Sequence, residues 1–288
     1  MMYGDTRQIE DKPIGIRARK KWLIVAIFVL AAGSVIIANL SFVAGLFGEE
    51  TVKNFDDYKT VIGKTTENSF GKLTLNEVMV DDNQLLFNAT FEPEDSINFD
   101  YQIFFFPQVH VNGEDFTVRN RGQTIEQHES KYTIYSSIQV SELPQDEKLI
   151  LDISYDKWTL EKSIDQPWDF QVEASQKQIL TDKKIFSINE TIPLTNGNEV
   201  TVTKVVSTPI STTIYYYLAK SPSETVDFKI ESASGKSWRW DSGFMLDDKK
   251  NAISVNRFDA LYLTDDIYYL IPIATDDKAL GPSIQIGK

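Results

Sequence analysis

The two histidines of this sequence are the side chains best suited to act as a general base or a metal ligand. His110 lies in a predicted strand at 109–111, out of phase with its apolar neighbours, which predicts a side chain that faces solvent. His128 lies in the polar stretch 121–131. Their spacing matches no zinc motif, and the sequence contains no Gly-x-Ser-x-Gly nucleophile elbow. The pattern therefore favours solvated surface histidines and predicts neither a metal nor a cofactor.

Pairs of adjacent aspartates recur along the chain. Examples are the pairs at 81–82, 247–248, 265–266 and 276–277. Carboxylate oxygens suit calcium, and two carboxylates can hydrolyse a glycosidic bond. However, no pair belongs to an Asp-x-Asp-x-Asp-Gly loop, and aspartate is also favoured in turns because it hydrogen-bonds the local backbone. We therefore expect turn acids and a protein that is not an enzyme, with a cell-wall hydrolase as the remaining catalytic alternative.

Clustered aromatic residues are candidates for ligand recognition. The runs at 104–106 and 215–217 place aromatic rings on both faces of predicted strands. Trp238 and Trp240 flank Arg239 at a spacing that puts both indoles on one face. Exposed aromatic rings often contact carbohydrate or protein, so the two tryptophans form a candidate recognition surface. Packing against a neighbouring module is the alternative.

The composition limits the chemistry that these residues can perform. The chain has 288 residues, of which 42% are hydrophobic and 25% are charged, as expected for a globular protein of about two domains. The absence of cysteine excludes disulfides, thiol nucleophiles and thiolate zinc sites. The net charge of −13 argues against nucleic acid as a partner.

An uncharged segment at residues 22–48 is the most specific feature of the sequence. A helix of that length is about 40 Å long and the hydrocarbon core of a bilayer is about 30 Å thick, so the segment predicts one transmembrane helix. A cleavable signal peptide is the alternative, but the apolar stretch is long and its cleavage sites are poor.

The charges around this segment predict its orientation. Basic residues precede it and two glutamates follow it, so residues 1–21 form a basic cytoplasmic tail and the rest lies outside the plasma membrane. The tail carries a net charge of +3, which leaves −16 for the remainder. The residues that define this topology are Arg17, Arg19, Lys20, Lys21 and the interfacial Trp22.

Small residues form one stripe of the predicted transmembrane helix. Such stripes let two membrane helices approach closely, although small residues are common in any membrane helix. The candidate helix–helix face consists of Ser34, Ala38, Ser41 and Gly45.

After residue 50 the sequence alternates between apolar and polar side chains, as at 132–140, which is typical of β-strands with one buried face. Asn-Gly pairs at 112–113 and 196–197 predict tight turns. The first of them predicts a hairpin between strands at 109–111 and 116–118. No stretch suggests a long helix in this part of the chain.

Two similar halves follow one another in this exported region. We predict an all-β region of two tandem immunoglobulin-like antiparallel β-sandwiches, one at 49–175 and one at 176–288. Three matched segments support a tandem repeat, at offsets that shrink in order along the chain. They pair 71–78 with 197–205 at an offset of 127, 112–116 with 234–238 at 122, and 138–153 with 258–273 at 120.

The strand motifs resemble a family of uncharacterised Gram-positive exported domains and the companion domain that follows it. The motifs that carry this resemblance are Gly71-Lys-Leu-Thr-Leu-Asn-Glu-Val78, Leu85–Phe91, Val109-His-Val-Asn-Gly113, Trp168-Asp-Phe-Gln-Val172, Ile192-Pro-Leu194, Val200-Thr-Val202 and the segment Ser207–Tyr215. The resemblance implies the outer part of a single-pass protein similar to anti-sigma factors, in which a cytoplasmic zinc-binding segment holds a sigma factor. Residues 1–21 contain no histidine or cysteine, so that segment is lacking here.

These observations predict a membrane-anchored cell-envelope protein with a non-catalytic binding or sensing region outside the membrane. Its expected partners are the lipid bilayer and an envelope ligand or protein. The alternative is a transmembrane regulator whose short tail contacts a cytoplasmic partner.

Overall fold

The computed structural model describes residues 55–97, 106–159, 162–219, 226–246, 253–264 and 266–287. The predicted cytoplasmic tail, the transmembrane helix at 22–48, the topology-defining residues around it and its stripe of small residues lie outside these ranges. In the described part of the chain, no helix combines the length and apolar character needed to cross a membrane.

The prediction of an all-β class is confirmed for the described residues, which form seventeen strands in four antiparallel sheets and one α-helix. The first eight strands are β1 (Lys59–Asn68), β2 (Gly71–Asp81), β3 (Gln84–Pro93), β4 (Gln108–Val111), β5 (Thr117–His128), β6 (Lys131–Val140), β7 (Lys148–Lys157) and β8 (Ser163–Ser175). The helix α1 (Lys177–Asp182) follows. The remaining strands are β9 (Lys184–Pro193), β10 (Glu199–Ser207), β11 (Ser211–Leu218), β12 (Asp227–Ser232), β13 (Ser237–Arg239), β14 (Ser242–Met245), β15 (Ser254–Asp259), β16 (Tyr268–Ile273) and β17 (Ile284–Ile286).

The N-terminal module consists of β1 to β8, arranged in two sheets of order β1-β2-β3-β6-β5 and β4-β7-β8. Both sheets contribute to one apolar core because each strand turns alternate side chains inward. Trp168 of β8 lies at the centre of this core, and its indole donates a 3.0 Å hydrogen bond to the carbonyl oxygen of Gly71. The polar atom of this large ring is therefore satisfied in the interior.

The C-terminal module consists of β9 to β17, in sheets of order β14-β15-β11-β10-β9 and β13-β12-β16-β17. It has its own apolar core, to which both sheets contribute. The linker helix α1 joins the modules, and all described residues belong to one compact unit of the chain.

The two modules repeat one topology. The five-stranded sheet has the same order in both, since β9, β10, β11, β15 and β14 take the places of β1, β2, β3, β6 and β5. A bulge interrupts β2 between Leu75 and Glu77, and one interrupts β10 between Val202 and Lys204, at the predicted offset of 127. A shared irregularity in register is stronger evidence for a repeat than shared alternation, because any two β modules alternate.

Two details of the predicted repeat are wrong. The Asn-Gly turn at 112–113 is closed by an antiparallel bridge between Val111 and Glu114, but the predicted pairing does not extend to 116–118. Instead β4 pairs with β7, and the chain then crosses to the other sheet, where β5 pairs with β6. The predicted offset of 120 matches the buried Leu151 with Ile271, but Ile271 is only half-buried. The buried core residue of β16 at this point is Leu270, so the true offset there is one residue shorter. A slip of one residue reverses the face of every side chain in a strand, and apolar residues on both faces of β16 hid it.

Candidate functional site

The two histidines lie on different sheets of the N-terminal module. His110 is on β4 and His128 is on β5, and both are exposed, as predicted. The Nε2 atom of His128 lies 3.6 Å from a carboxylate oxygen of Glu126. Among the residues that the structure describes, no three histidine or acidic side chains are grouped so that they could hold a metal ion.

Trp238 and Trp240 are both half-buried and pack against the C-terminal core. The ring of Trp238 lies 6.1 Å from that of Tyr268. The side chain of Trp240 hydrogen-bonds Asp227, whose pKa is raised by burial and lowered in part by this bond. The partial exposure leaves both indoles within reach of a ligand, so their role in recognition stays a prediction.

The described aspartate pairs differ in their surroundings. Asp276 and Asp277 are engaged on the surface, by Lys278 and Arg239. Asp81 instead ends β2 and Asp82 begins the turn to β3, and the side chain of Asp81 is completely buried. This turn of the N-terminal module is inserted into a polar network on the C-terminal module.

The carboxylate of Asp81 accepts three short hydrogen bonds from the C-terminal module. The hydroxyl of Thr208 donates to one oxygen at 2.7 Å, and the hydroxyl of Ser211 donates to the other at 2.6 Å. Arg257 Nη2 donates to that second oxygen at 2.6 Å. Both carboxylate oxygens therefore have protein donors, which satisfies a charge that has lost its water.

Arg257 is the cation at the centre of this junction. Its side chain is completely buried on β15 and also donates from Nη1 to Asn83 Oδ1 and from Nε to Asp259 Oδ1, both at 2.6 Å. Burial alone lowers the pKa of Arg257, but the carboxylates of Asp259 and Asp81 outweigh it and raise that pKa. The guanidinium is therefore a permanent charge that links the two modules.

Asp82 makes a second set of contacts across the junction. The hydroxyl of Tyr215 donates a 2.6 Å hydrogen bond to one oxygen, and Lys183 Nζ lies 3.3 Å from the other. Burial, together with the nearby Asp82 charge, raises the pKa of Tyr215 well above its usual value. Tyr215 is therefore a neutral hydrogen-bond donor at neutral pH, and the tyrosine run at 215–217 serves packing at this position.

Apolar contacts surround the polar network on two sides. One cluster joins the outer face of the N-terminal five-stranded sheet to Ile179 of α1 and Ile210 of the C-terminal module. A second cluster covers the outer face of the C-terminal sheet and includes Val118 of β5. Apolar packing beside the network therefore helps to keep water away from the charged groups of the junction.

The junction also relates equivalent parts of the repeat. At the offset of 127, the turn at 81–83 of the N-terminal module corresponds to residues 208–210 of the C-terminal module, and Asp81 contacts Thr208 directly. Each module therefore presents the same turn to the other, as identical subunits do in a twofold dimer. The charges differ between the two sides, which specifies one arrangement of the pair.

Sequence reasoning located the turn acids but missed their partner. Only two of the six residues at 254–259 are apolar, so the sequence gives no clear sign that Arg257 is buried. Nothing in the pattern connects it to an acid 176 residues away.

Comparison with known proteins supports the fold alone. No family model matches the chain, and no curated protein matches it. Among solved structures, the crystal structure of a conserved domain protein from Bacillus anthracis is similar, with a TM-score of 0.60 and 17% sequence identity. The match covers 82% of this chain and 93% of that one, so it includes both modules of the repeat.

Proposed function

We propose that this chain is a single-pass, membrane-anchored protein of the cell envelope whose two β modules form one rigid, non-catalytic binding or sensing unit outside the membrane. The uncharged segment at 22–48 and its charge asymmetry support the anchor and its orientation. In this proposal the Gram-positive exported domains are its relatives.

We propose further that each module is an immunoglobulin-like β-sandwich. The support is the antiparallel pairing of all strands and the single core that the two sheets of each module share.

The main support for the proposed function is the buried junction between the two modules. Interfaces within a chain usually resemble transient contacts, which permit domain motion unless they are large and apolar. Here a charged network with no exposure at Asp81 and Arg257 is enclosed by two apolar clusters. Such a junction keeps a fixed geometry, which suits a scaffold that presents a surface to a ligand.

The proposed recognition surface is formed by Trp238 and Trp240. Binding to insoluble cell-wall material can be measured by co-sedimentation for the unmodified protein and for the Trp238→Ala/Trp240→Ala variant. We expect the variant to lose binding while its far-ultraviolet circular dichroism is retained, and Lys236→Ala on the adjacent exposed turn to bind normally. Normal binding by the folded double variant would defeat this assignment.

The membrane topology can be tested with single cysteines, because the chain contains none of its own. Glu114→Cys and Lys236→Cys place thiols on exposed turns of the two modules, and Thr6→Cys places one in the tail. Intact cells are treated with a membrane-impermeant maleimide before and after permeabilisation. We expect the two module cysteines to react in intact cells and the tail cysteine only after permeabilisation.

The same cells provide the test of anchoring. The full-length chain should remain in the membrane fraction after washing with high salt and alkaline carbonate. Recovery in the soluble fraction, or protection of the module cysteines in intact cells, would overturn the proposed anchor or its orientation.

A further inference from the structure

The first described residues of the chain lie within the junction between the modules. Phe55 is 5% exposed and packs in the apolar cluster that includes Met79 of the N-terminal module, Ile179 of the linker helix and Ile210 of the C-terminal module. One side chain therefore belongs to a cluster that contains residues of all three parts. Six residues separate it in sequence from the uncharged segment that ends at Gly48.

Tyr58 attaches the same segment to the linker helix. Its hydroxyl donates a 2.8 Å hydrogen bond to Asp182 Oδ2, which also accepts from Gln178 at 2.9 Å. The carbonyl oxygen of Asp182 in turn accepts a 3.1 Å bond from the hydroxyl of Tyr262 in the C-terminal module. Asp182 therefore connects Tyr58 to both the helix and the module beyond it.

Lys59, the first residue of β1, attaches the start of this segment to β2 of the N-terminal module. Its ammonium lies 3.2 Å from Glu77 Oε1 on β2 and 2.7 Å from Asp56 Oδ1. The side chains of Lys59 and Glu77 are 5% and 4% exposed, so this ion pair is buried. Breaking a buried pair leaves an uncompensated charge, which makes the attachment difficult to release by itself.

We propose that residues 55–59 form a latch that couples the membrane anchor to the junction, so that a ligand or force that separates the modules also frees the chain leading to the membrane. This inference rests on the proposed function, which supplies the anchor and the external signal. The latch and the junction share one apolar cluster and one linker helix, so opening either one removes contacts that hold the other. By thermodynamic linkage, the coupling between them must be equal in both directions.

The test uses maleimide labelling of the full-length protein in isolated membranes. Phe55→Cys reports opening of the latch, and Ile210→Cys, at a position with no exposure, reports opening of the junction. Ala174→Cys, completely buried in the N-terminal core, is the matched control because cysteine is close to alanine in size. Each reporter is combined with Arg257→Met, which weakens the junction, or with Tyr58→Phe, which weakens the latch.

We expect Arg257→Met to accelerate labelling of Phe55→Cys by about tenfold, in the range of typical allosteric couplings. Tyr58→Phe should accelerate labelling of Ile210→Cys, and Ala174→Cys should stay protected in both backgrounds. Because a cysteine at position 55 itself shortens a latch side chain, Tyr58→Phe with the reporter at 210 provides the independent second arm.

The proposed coupling is overturned if Phe55→Cys stays protected when the junction is weakened, or if Ile210→Cys does not respond to Tyr58→Phe. Loss of protection at Ala174→Cys also overturns it, because unfolding of the module would then explain the labelling. If the coupling is observed but the full-length chain washes off the membrane, the proposed anchor fails while the contact between latch and junction stands.

Discussion

Asp81 and Arg257 are 176 residues apart in the sequence, yet their side chains form a 2.6 Å ion pair with no exposure to solvent. Each belongs to a different β module, so this pair joins two separate cores. The hydroxyl groups of Thr208 and Ser211 donate hydrogen bonds to Asp81. On the other side of the pair, Asp259 accepts a hydrogen bond from Arg257.

Asp81→Asn should lower the free energy of unfolding by about 3–5 kcal/mol, because it leaves the Arg257 charge buried with one fewer carboxylate. Urea unfolding followed by tryptophan fluorescence measures the change. Lys148→Ala removes an exposed ion pair with Glu173 and is the matched control, with little or no expected effect. Equal effects of the two substitutions would contradict the importance of the buried pair.

Tyr215→Phe should destabilise the protein by about 1–3 kcal/mol, because Asp82 loses a short bond from a buried hydroxyl. Tyr217→Phe changes a half-buried tyrosine two positions further along β11 and should have a smaller effect. The ratio of the two losses, measured by the same unfolding titration, is the result to compare. A larger loss of stability for Tyr217→Phe than for Tyr215→Phe would contradict the importance of the hydrogen bond from Tyr215 to Asp82.

Gly71→Ala should be far more damaging than Gly113→Ala, although both glycines have positive φ angles, of 142° and 85°. A methyl group on Gly71 would lie 2.2 Å from the carbonyl oxygen of Glu92, which is backbone and cannot turn away. Gly113 has open space, so only the backbone preference is lost, about 1–2 kcal/mol. We expect a loss above about 4 kcal/mol at Gly71, and similar melting temperatures for the two variants would contradict the steric argument.

Glu77 predicts a pH dependence of stability. Burial raises the pKa of Glu77 and the nearby Lys59 only partly offsets it, so Glu77 takes up a proton more readily in the folded than in the unfolded chain. The sign follows from linkage: the stability gained from protonation is present below the unfolded pKa and lost as the pH rises through the folded pKa. Glu77→Gln imitates the protonated form, so its stability relative to the unmodified protein should rise from about pH 4.5 upward. A difference in unfolding free energy that does not change with pH would contradict this assignment.

Much of the fold was predictable because alternation and turns are local signals. The buried positions of β2 and β10 follow the two-residue period up to each bulge, whereas consecutive residues are buried at the end of each strand. The repeat at offset 127 followed from the shared pattern of the two strands. The tight turn at 112–113 is present, but the strand pairing predicted beyond it was wrong because a tight turn determines only its own geometry. Whether the following strand stays in the same sheet depends on the rest of the core.

The junction was not predictable because its partners are distant in sequence and chemically ordinary. Asp81 and Asp82 have the signature of a solvated turn, and Tyr215 belongs to a run that suits a strand. Only the packing of two modules removes water from these groups and gives Arg257 its role. The energy of each ion pair in the junction depends on its burial, and burial is known only once the whole chain has folded.

We propose that the buried junction holds the two modules together as one rigid unit. Spin labels on Glu114→Cys and Lys236→Cys, on exposed turns of different modules, allow the distance between the modules to be measured by pulsed electron paramagnetic resonance in a chain without other cysteines. We predict one narrow distance distribution, which Arg257→Met broadens while each module stays folded. A broad distribution in the protein with an intact junction, or one that Arg257→Met leaves unchanged, would contradict the claim.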